Sequence, residues 1–132
     1  MNKIAFILFA VFLVVGCVQQ QSQPPQQDGT TKTFSMVIGH TFYNPSKITV
    51  NKGDTVVIKA VAATGTASHI HGVTIDEYGI NQAVTTEDVN NSVLIQFVAD
   101  KEGTFTIYCK TCWDGPFGRG HPNIQGTLEV NP

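Results

Sequence analysis

Charge is scarce in this chain. Its 132 residues carry 8 Lys and Arg against 10 Asp and Glu, a formal net charge of −2. There is no basic run to neutralise phosphates, which excludes a nucleic-acid partner. Long apolar runs are missing as well. The longest, residues 4–15, falls short of the ~20 that a helix needs to span a bilayer. The apolar pattern holds no helical period, and there is no internal repeat. The chain has no Ser/His/Asp set, no paired-carboxylate site and no Gly-rich phosphate loop. Its acids Asp76, Glu77, Glu87 and Asp88 sit in turn-like stretches, where such residues are usual. Sulfur is sparse: three cysteines and two methionines, of which only Met36 lies beyond the first residue. What remains is 42% hydrophobic, enough for one packed core in a single domain.

The N-terminal stretch reads as a leader rather than as part of the fold. Met1 to Lys3 form a positive start, residues 4–15 an apolar segment, and Val14-Val15-Gly16-Cys17 resembles the lipobox of exported lipoproteins. That resemblance implies a signal peptide over 1–16, cleavage before Cys17 and lipidation of its thiol. The alternative is an uncleaved N-terminal anchor. Either way the expected localisation is extracytoplasmic, attached to the membrane. A single acyl chain holds weakly, so the anchor needs two or more. Residues 17–32, read as a tether, contain VQQQSQPPQQDGTTK, rich in Gln with a Pro-Pro pair and little to bury; a disordered linker is expected.

From residue 33 to 132 the pattern changes to short β-branched runs separated by turn signals. Strands are expected at 33–39, 48–50, 55–62, 69–75, 92–98, 104–109 and 126–130, with turns at NPSK, NKGD, ATGT, DEYG and ADKEG. Residues 80–91 are left between a helical turn and a loop. Seven or eight strands at this spacing predict an all-β, antiparallel Greek-key sandwich or barrel. The expected core is Phe34, Val56, Ile58, Val73, Ile75, Val93, Ile95, Phe97, Phe105, Ile107, Leu128 and Val130.

Chemistry concentrates at two places. YCKTCWDGPFGRGHPNI, residues 108–124, holds Cys109, Cys112 and His121 on one loop between two strand-like flanks, and HIHGVTI holds His69 and His71. With Phe105 and Ile107 inward, strand parity turns Cys109 inward too, and His71 shares a face with Val73 and Ile75. Neighbouring strands can therefore bring His71, Cys109, Cys112 and His121 to one end of the sandwich. Thiolate with imidazole selects copper or zinc over the oxygen-seeking Mg and Ca. A domain with its own core does not need a structural zinc, which favours copper, as one or two ions. Each residue has a plainer reading: a disulfide for Cys109 and Cys112, a core histidine for His71, a solvated neighbour for His69 with ligation in reserve, and a surface position for His40. Trp113 and Phe117 read as an apolar rim for a redox partner or as loop packing. Lys110 and Arg119 read as guides for an acidic partner or as solvated charges.

The run FYNPSKITVNKGDTVVIKA, then IHGVTIDEYGIN, GTFTIYC and GHPNIQGTLEV, resembles the cupredoxins over about 33–132. It resembles most narrowly the dinuclear Cu-A domain of cytochrome oxidase subunit II, and it is also similar to nitrosocyanin around TIDEYGI and FTIYC. By position the resemblance implies a copper site of His71, Cys109, Cys112 and His121, with a backbone carbonyl of Lys110 or Thr111 between the cysteines and Ile124 where the family places an axial methionine. The spacings differ. Cu-A domains have three residues between the cysteines and three before the histidine, where this chain has two and eight. Both dinuclear and mononuclear sites stay open. The implied role is single-electron transfer with a cytochrome or oxidase-like partner. The other two possibilities are a Cu(I) chaperone or resistance protein and a small nitrosocyanin-like copper enzyme.

Overall fold

A computed structural model of the chain describes residues 29–112 and 124–132. The leader, Cys17, most of the expected tether, Trp113, Phe117, Arg119 and His121 lie outside the described residues. The described residues form nine strands: β1 (Thr31–Ile38), β2 (Tyr43–Asn44), β3 (Lys47–Asn51), β4 (Thr55–Ala62), β5 (His71–Ile75), β6 (Ile80–Val84), β7 (Val93–Val98), β8 (Gly103–Tyr108) and β9 (Gln125–Asn131). They form two sheets, ordered β2-β1-β4-β7 and β3-β9-β8-β5-β6. The fold is the expected all-β sandwich, and alternation builds it. In β3 the pattern KITVN buries Ile48 and Val50, and in β9 QGTLEVN buries Gly126, Leu128 and Val130. Most strands thus turn one face to the other sheet, while the opposite face stays wet or half-covered; β5 is buried along its whole length.

Four details depart from the sequence reading. β1 starts at Thr31, not at 33, so the sandwich takes in two residues assigned to the tether. Its entry is held by Asp54, whose carboxylate accepts from the N–H and the hydroxyl of Thr30, both at 2.9 Å. β5 starts at His71, not at 69; residues 67–69 belong to turns, and His69 and Ile70 are exposed. Residues 80–91, left between helical turn and loop, hold the edge strand β6 and a single 3-10 turn at Val89–Asn91. The sheets are also not wholly antiparallel: β1 runs parallel to β4, and β3 parallel to β9.

The core is the strip between the sheets. Ile58, Val56, Val73, Ile75, Ile107 and Leu128 are buried as expected, joined by Met36, Ile38, Ile48 and Val84. Phe34, Val93, Phe97 and Phe105 are only partly buried and pack at its margin.

The register sorts the connections to two ends. Asn51, Asp54, Val98 and Gly103 lie at one, where the main chain closes on itself. Ile38, Tyr43, Ala62, His71, Tyr108 and Gln125 lie at the other.

Candidate metal centre

β8 and β5 are neighbours, with Thr74 opposite Tyr108. The chain leaves β8 into Cys109 at the level of Val73, and residues 110–112 then turn toward the start of β5. Two contacts seat this turn. The N–H of Lys110 donates to Thr74 Oγ1 at 3.3 Å, and Thr111 packs its side chain over Gly72. A Cβ at position 72 would run into Thr111 Oγ1 and lie 3.1 Å from the carbonyl oxygen of Gln82. Glycine is there because the turn needs the space.

The result is a compact group of sulfur and nitrogen. Cys109 and Cys112 are joined as a disulfide. Cys112 Sγ lies 4.0 Å from His71 Nδ1. His71 is fully buried and Cys112 nearly so, while Cys109 is half-buried with Thr111 Oγ1 3.6 Å from its sulfur. The His71 backbone is fixed from both sides, paired with Val84 of β6 and followed by Gly72, whose carbonyl accepts from the Tyr43 hydroxyl at 2.7 Å. Burial pushes the Tyr43 phenol well above its ordinary pKa, so it stays protonated and donates at any working pH.

Of the expected ligand set, three members are brought together: His71, Cys109 and Cys112. The fourth, His121, lies outside the described residues. Ile124, expected at the axial position, is buried at the start of β9 and belongs to the core cluster. Lys110 is exposed and Thr111 half-buried. Among the described residues, no group of three or more His, Cys, Asp or Glu is gathered to hold a metal ion. Two of the three candidate donors are bonded to each other.

His40, expected at the surface, is a correction. It is half-buried, and its ring centre lies 5.1 Å from that of His69 and 5.3 Å from that of His71. The reason is the turn after β1. The N–H of Gly39 donates to the Phe42 carbonyl at 2.9 Å, which folds His40 back toward His71. The sequence carried only a faint signal of this: a histidine one residue after an apolar strand, at the end where HIH also emerges.

The His69 loop is braced in turn. The N–H of Ala63 donates to the Ile38 carbonyl at 2.8 Å, and the N–H of His69 to the Thr66 carbonyl at 3.0 Å. The Glu87 carboxylate accepts from the Ala67 N–H at 2.8 Å. That bond, with others from the Gly65 and Thr66 main chain, holds the Glu87 pKa below the usual carboxylate range.

Comparison with known proteins agrees with this architecture. The family model described as a cupredoxin-like domain matches residues 5–128. Three solved structures share the fold. The periplasmic domain of cytochrome oxidase subunit II (CoxB) of Bradyrhizobium japonicum is 13% identical, covering 80% of this chain and 86% of its own at a TM-score of 0.55. Auracyanin A, a "blue" copper protein of Chloroflexus aurantiacus, is 19% identical, covering 76% and 99% at 0.55. The metal-binding domain of the Cu(I)-exporting P-type ATPase CopA of Streptococcus pneumoniae is 17% identical, covering 77% and 87% at 0.57. No curated protein sequence matches the chain. Two sheets of this order, sulfur and imidazole gathered at one end, and a family match over nearly the whole length lead to one assignment: the chain belongs to the cupredoxin-like domain family.

Proposed function

We propose that this protein is an extracytoplasmic cupredoxin that carries single electrons through a copper centre held by His71, Cys109, Cys112 and His121. The observation that supports it is the buried contact of His71 Nδ1 with Cys112 Sγ at 4.0 Å, with Cys109 bonded to the same sulfur. The donor set fits copper by its chemistry: one imidazole and two sulfurs, soft and borderline ligands with no oxygen. It fits only after reduction. An external dithiol reductant, itself oxidised to a disulfide, supplies the two electrons and two protons that convert the bond to two thiols, and each thiol then loses its proton on binding a metal. Copper held there would cycle between +2 and +1.

The chain's own residues do the rest. The two sheets fix His71 and the end of β8, so the donors keep one arrangement in both oxidation states. Gly72 and Tyr43 set the height of His71 below the turn. His121, which lies between Cys112 and Ile124 in the sequence, is the expected contact toward a redox partner, a cytochrome or an oxidase-like protein. Residues 1–16 would act as the export signal, Cys17 as the lipid attachment and 17–30 as the tether. Among the described residues no helix is long and apolar enough to cross a membrane.

A second reading has one observation in its favour, the Cys109–Cys112 bond itself: the pair is a structural crosslink. Magnitude weighs against it. A loop this short removes only about 2 kcal/mol of chain entropy from the unfolded state, and the domain already has a core.

The test is to reduce the full-length chain, add copper without oxygen, count metal per chain and record optical and EPR spectra. An intense sulfur-to-copper absorption is expected, abolished by Cys109→Ser or Cys112→Ser. A seven-line EPR signal identifies a dinuclear centre, and a four-line signal accompanying the sulfur absorption a mononuclear one. A colourless product whose cysteines return as the disulfide sinks the proposal.

A further inference from the structure

We infer that His40 and His69 form a second, outer site for a divalent transition ion, beside His71 at its end of the sandwich. Three imidazoles meet there, with His40 in the middle. Its ring centre is 5.1 Å from that of His69 and 5.3 Å from that of His71. A metal–nitrogen bond of about 2.0 Å puts the ion about 3.2 Å from each ring centre, so two imidazoles sharing one tetrahedral ion stand about 5.2 Å apart, and about 4.5 Å at a right angle. Both separations match the tetrahedral value. Packing of rings alone accepts a wider range, about 4.5–7 Å.

The two imidazoles come from different turns, and each turn is held by its own bonds. Gly39 N–H to the Phe42 carbonyl sets His40. His69 N–H to the Thr66 carbonyl, with Glu87 on the Ala67 N–H, sets His69. The rings are thus brought together before any ion arrives, which lowers the entropic cost of chelation. His69 is exposed and His40 half-buried, so solvent can complete the coordination and the ion can exchange. Imidazole donors suit Zn(II), Cu(II) and Ni(II), and the tetrahedral separation favours Zn(II), since Cu(II) and Ni(II) prefer right angles. Use of the site to deliver copper to the inner centre rests on the proposed function above; docking of the ion does not.

The experiment separates the two. The chain carries Cys17→Ser and is kept oxidised, with Cys109–Cys112 intact, so no thiolate can bind. Cu(II), Ni(II) or Zn(II) is titrated in by calorimetry, and the histidine ring resonances are followed by NMR. One ion is expected per chain, with the His40 and His69 signals broadened by Cu(II) or Ni(II) and shifted by Zn(II). His40→Gln and His69→Gln should each weaken binding about tenfold or more, while the fold, read from the amide spectrum, is kept. Unchanged affinity in both variants, or broadening confined to other histidines, would place the ion elsewhere and overturn the inference. Absence of any binding overturns it as well. None of these outcomes touches the coloured product expected of the reduced chain.

Discussion

At the end of the sandwich that holds Asp54, the main chain satisfies itself. At the end that holds His71, side chains meet instead. The first end is stitched by Lys52 N–H to the Asn131 carbonyl, Gly53 N–H to the Ala99 carbonyl and Ala99 N–H to the Asp54 carbonyl, at 2.7 to 2.9 Å. Gly53 has φ 92° there, a left-handed value that glycine adopts at no steric cost. Among the described residues, nothing at that end offers a soft donor atom. The second end holds His40, His69, His71, Cys109 and Cys112 within one small region. The core between them is common to both. A division of labour follows: one end and the core carry stability, and the other end carries chemistry at positions where a stability-driven sequence would place apolar side chains.

The largest test of that division is Ile58→Ala. Ile58 is fully buried at the middle of β4, so removing three carbons should cost about 2–5 kcal/mol, the range for truncating a buried aliphatic side chain. Denaturant titration reads the loss. Copper per chain and the spectrum should not change, because β4 supplies no donor. A spectrum altered as much as the stability would show that the ends are not independent.

Gly72→Ala sharpens the comparison from the other side. The added methyl meets Thr111 Oγ1 and approaches the Gln82 carbonyl, so residues 109–112 must lift from β5. Stability should fall less than for Ile58→Ala, within the 1–3 kcal/mol typical of overpacking. The contact of Cys112 with His71 should loosen, read as a shifted or broadened copper–sulfur absorption in the reduced, loaded chain. Tyr43→Phe is gentler still. It leaves the Gly72 carbonyl without its buried donor, at about 1 kcal/mol, and should move the His71 resonances while leaving those of the Asp54 end in place.

Much of this was legible in the residues, and the reasons differ by element. Strand parity placed Ile107 inward and Cys109 beside it, because alternation is a property of the backbone. The same logic failed at HIHGVTI. His69 and Ile70 fit a strand by composition, yet the turn after Ala63 uses them, and only the pairing of His71 with Val84 shows where β5 begins. β6 was missed because INQAV sits at a sheet edge, where the partner on one side is solvent and polar residues are tolerated. The parallel pairings of β1 with β4 and β3 with β9 left no trace, since alternation reports faces and not direction. His40 stands 29 positions before His69 in the chain, and only the fold makes them neighbours.

The same device, a carboxylate held by main-chain N–H groups, occurs at both ends, and acid should separate its two uses. Asp54 is buried and accepts from Asn51 N–H at 2.9 Å and from Thr30; these bonds hold its pKa below the usual range. Glu87, half-buried, does likewise for residues 65–67. Each pKa is lowered in the folded state, so each contribution is complete above the unfolded values of about 3.9 and 4.3 and drains as pH falls through the lower folded value. The two should differ in extent. Asp54 ties β1 to the β3–β4 turn, so Asp54→Asn should lower the global unfolding midpoint at neutral pH and flatten its fall in acid. Glu87→Gln should leave the midpoint almost unchanged and speed hydrogen exchange only at residues 65–69. A global loss from Glu87→Gln equal to that from Asp54→Asn would mean that the His71 end is also part of the stable frame, and the division between the two ends would fail.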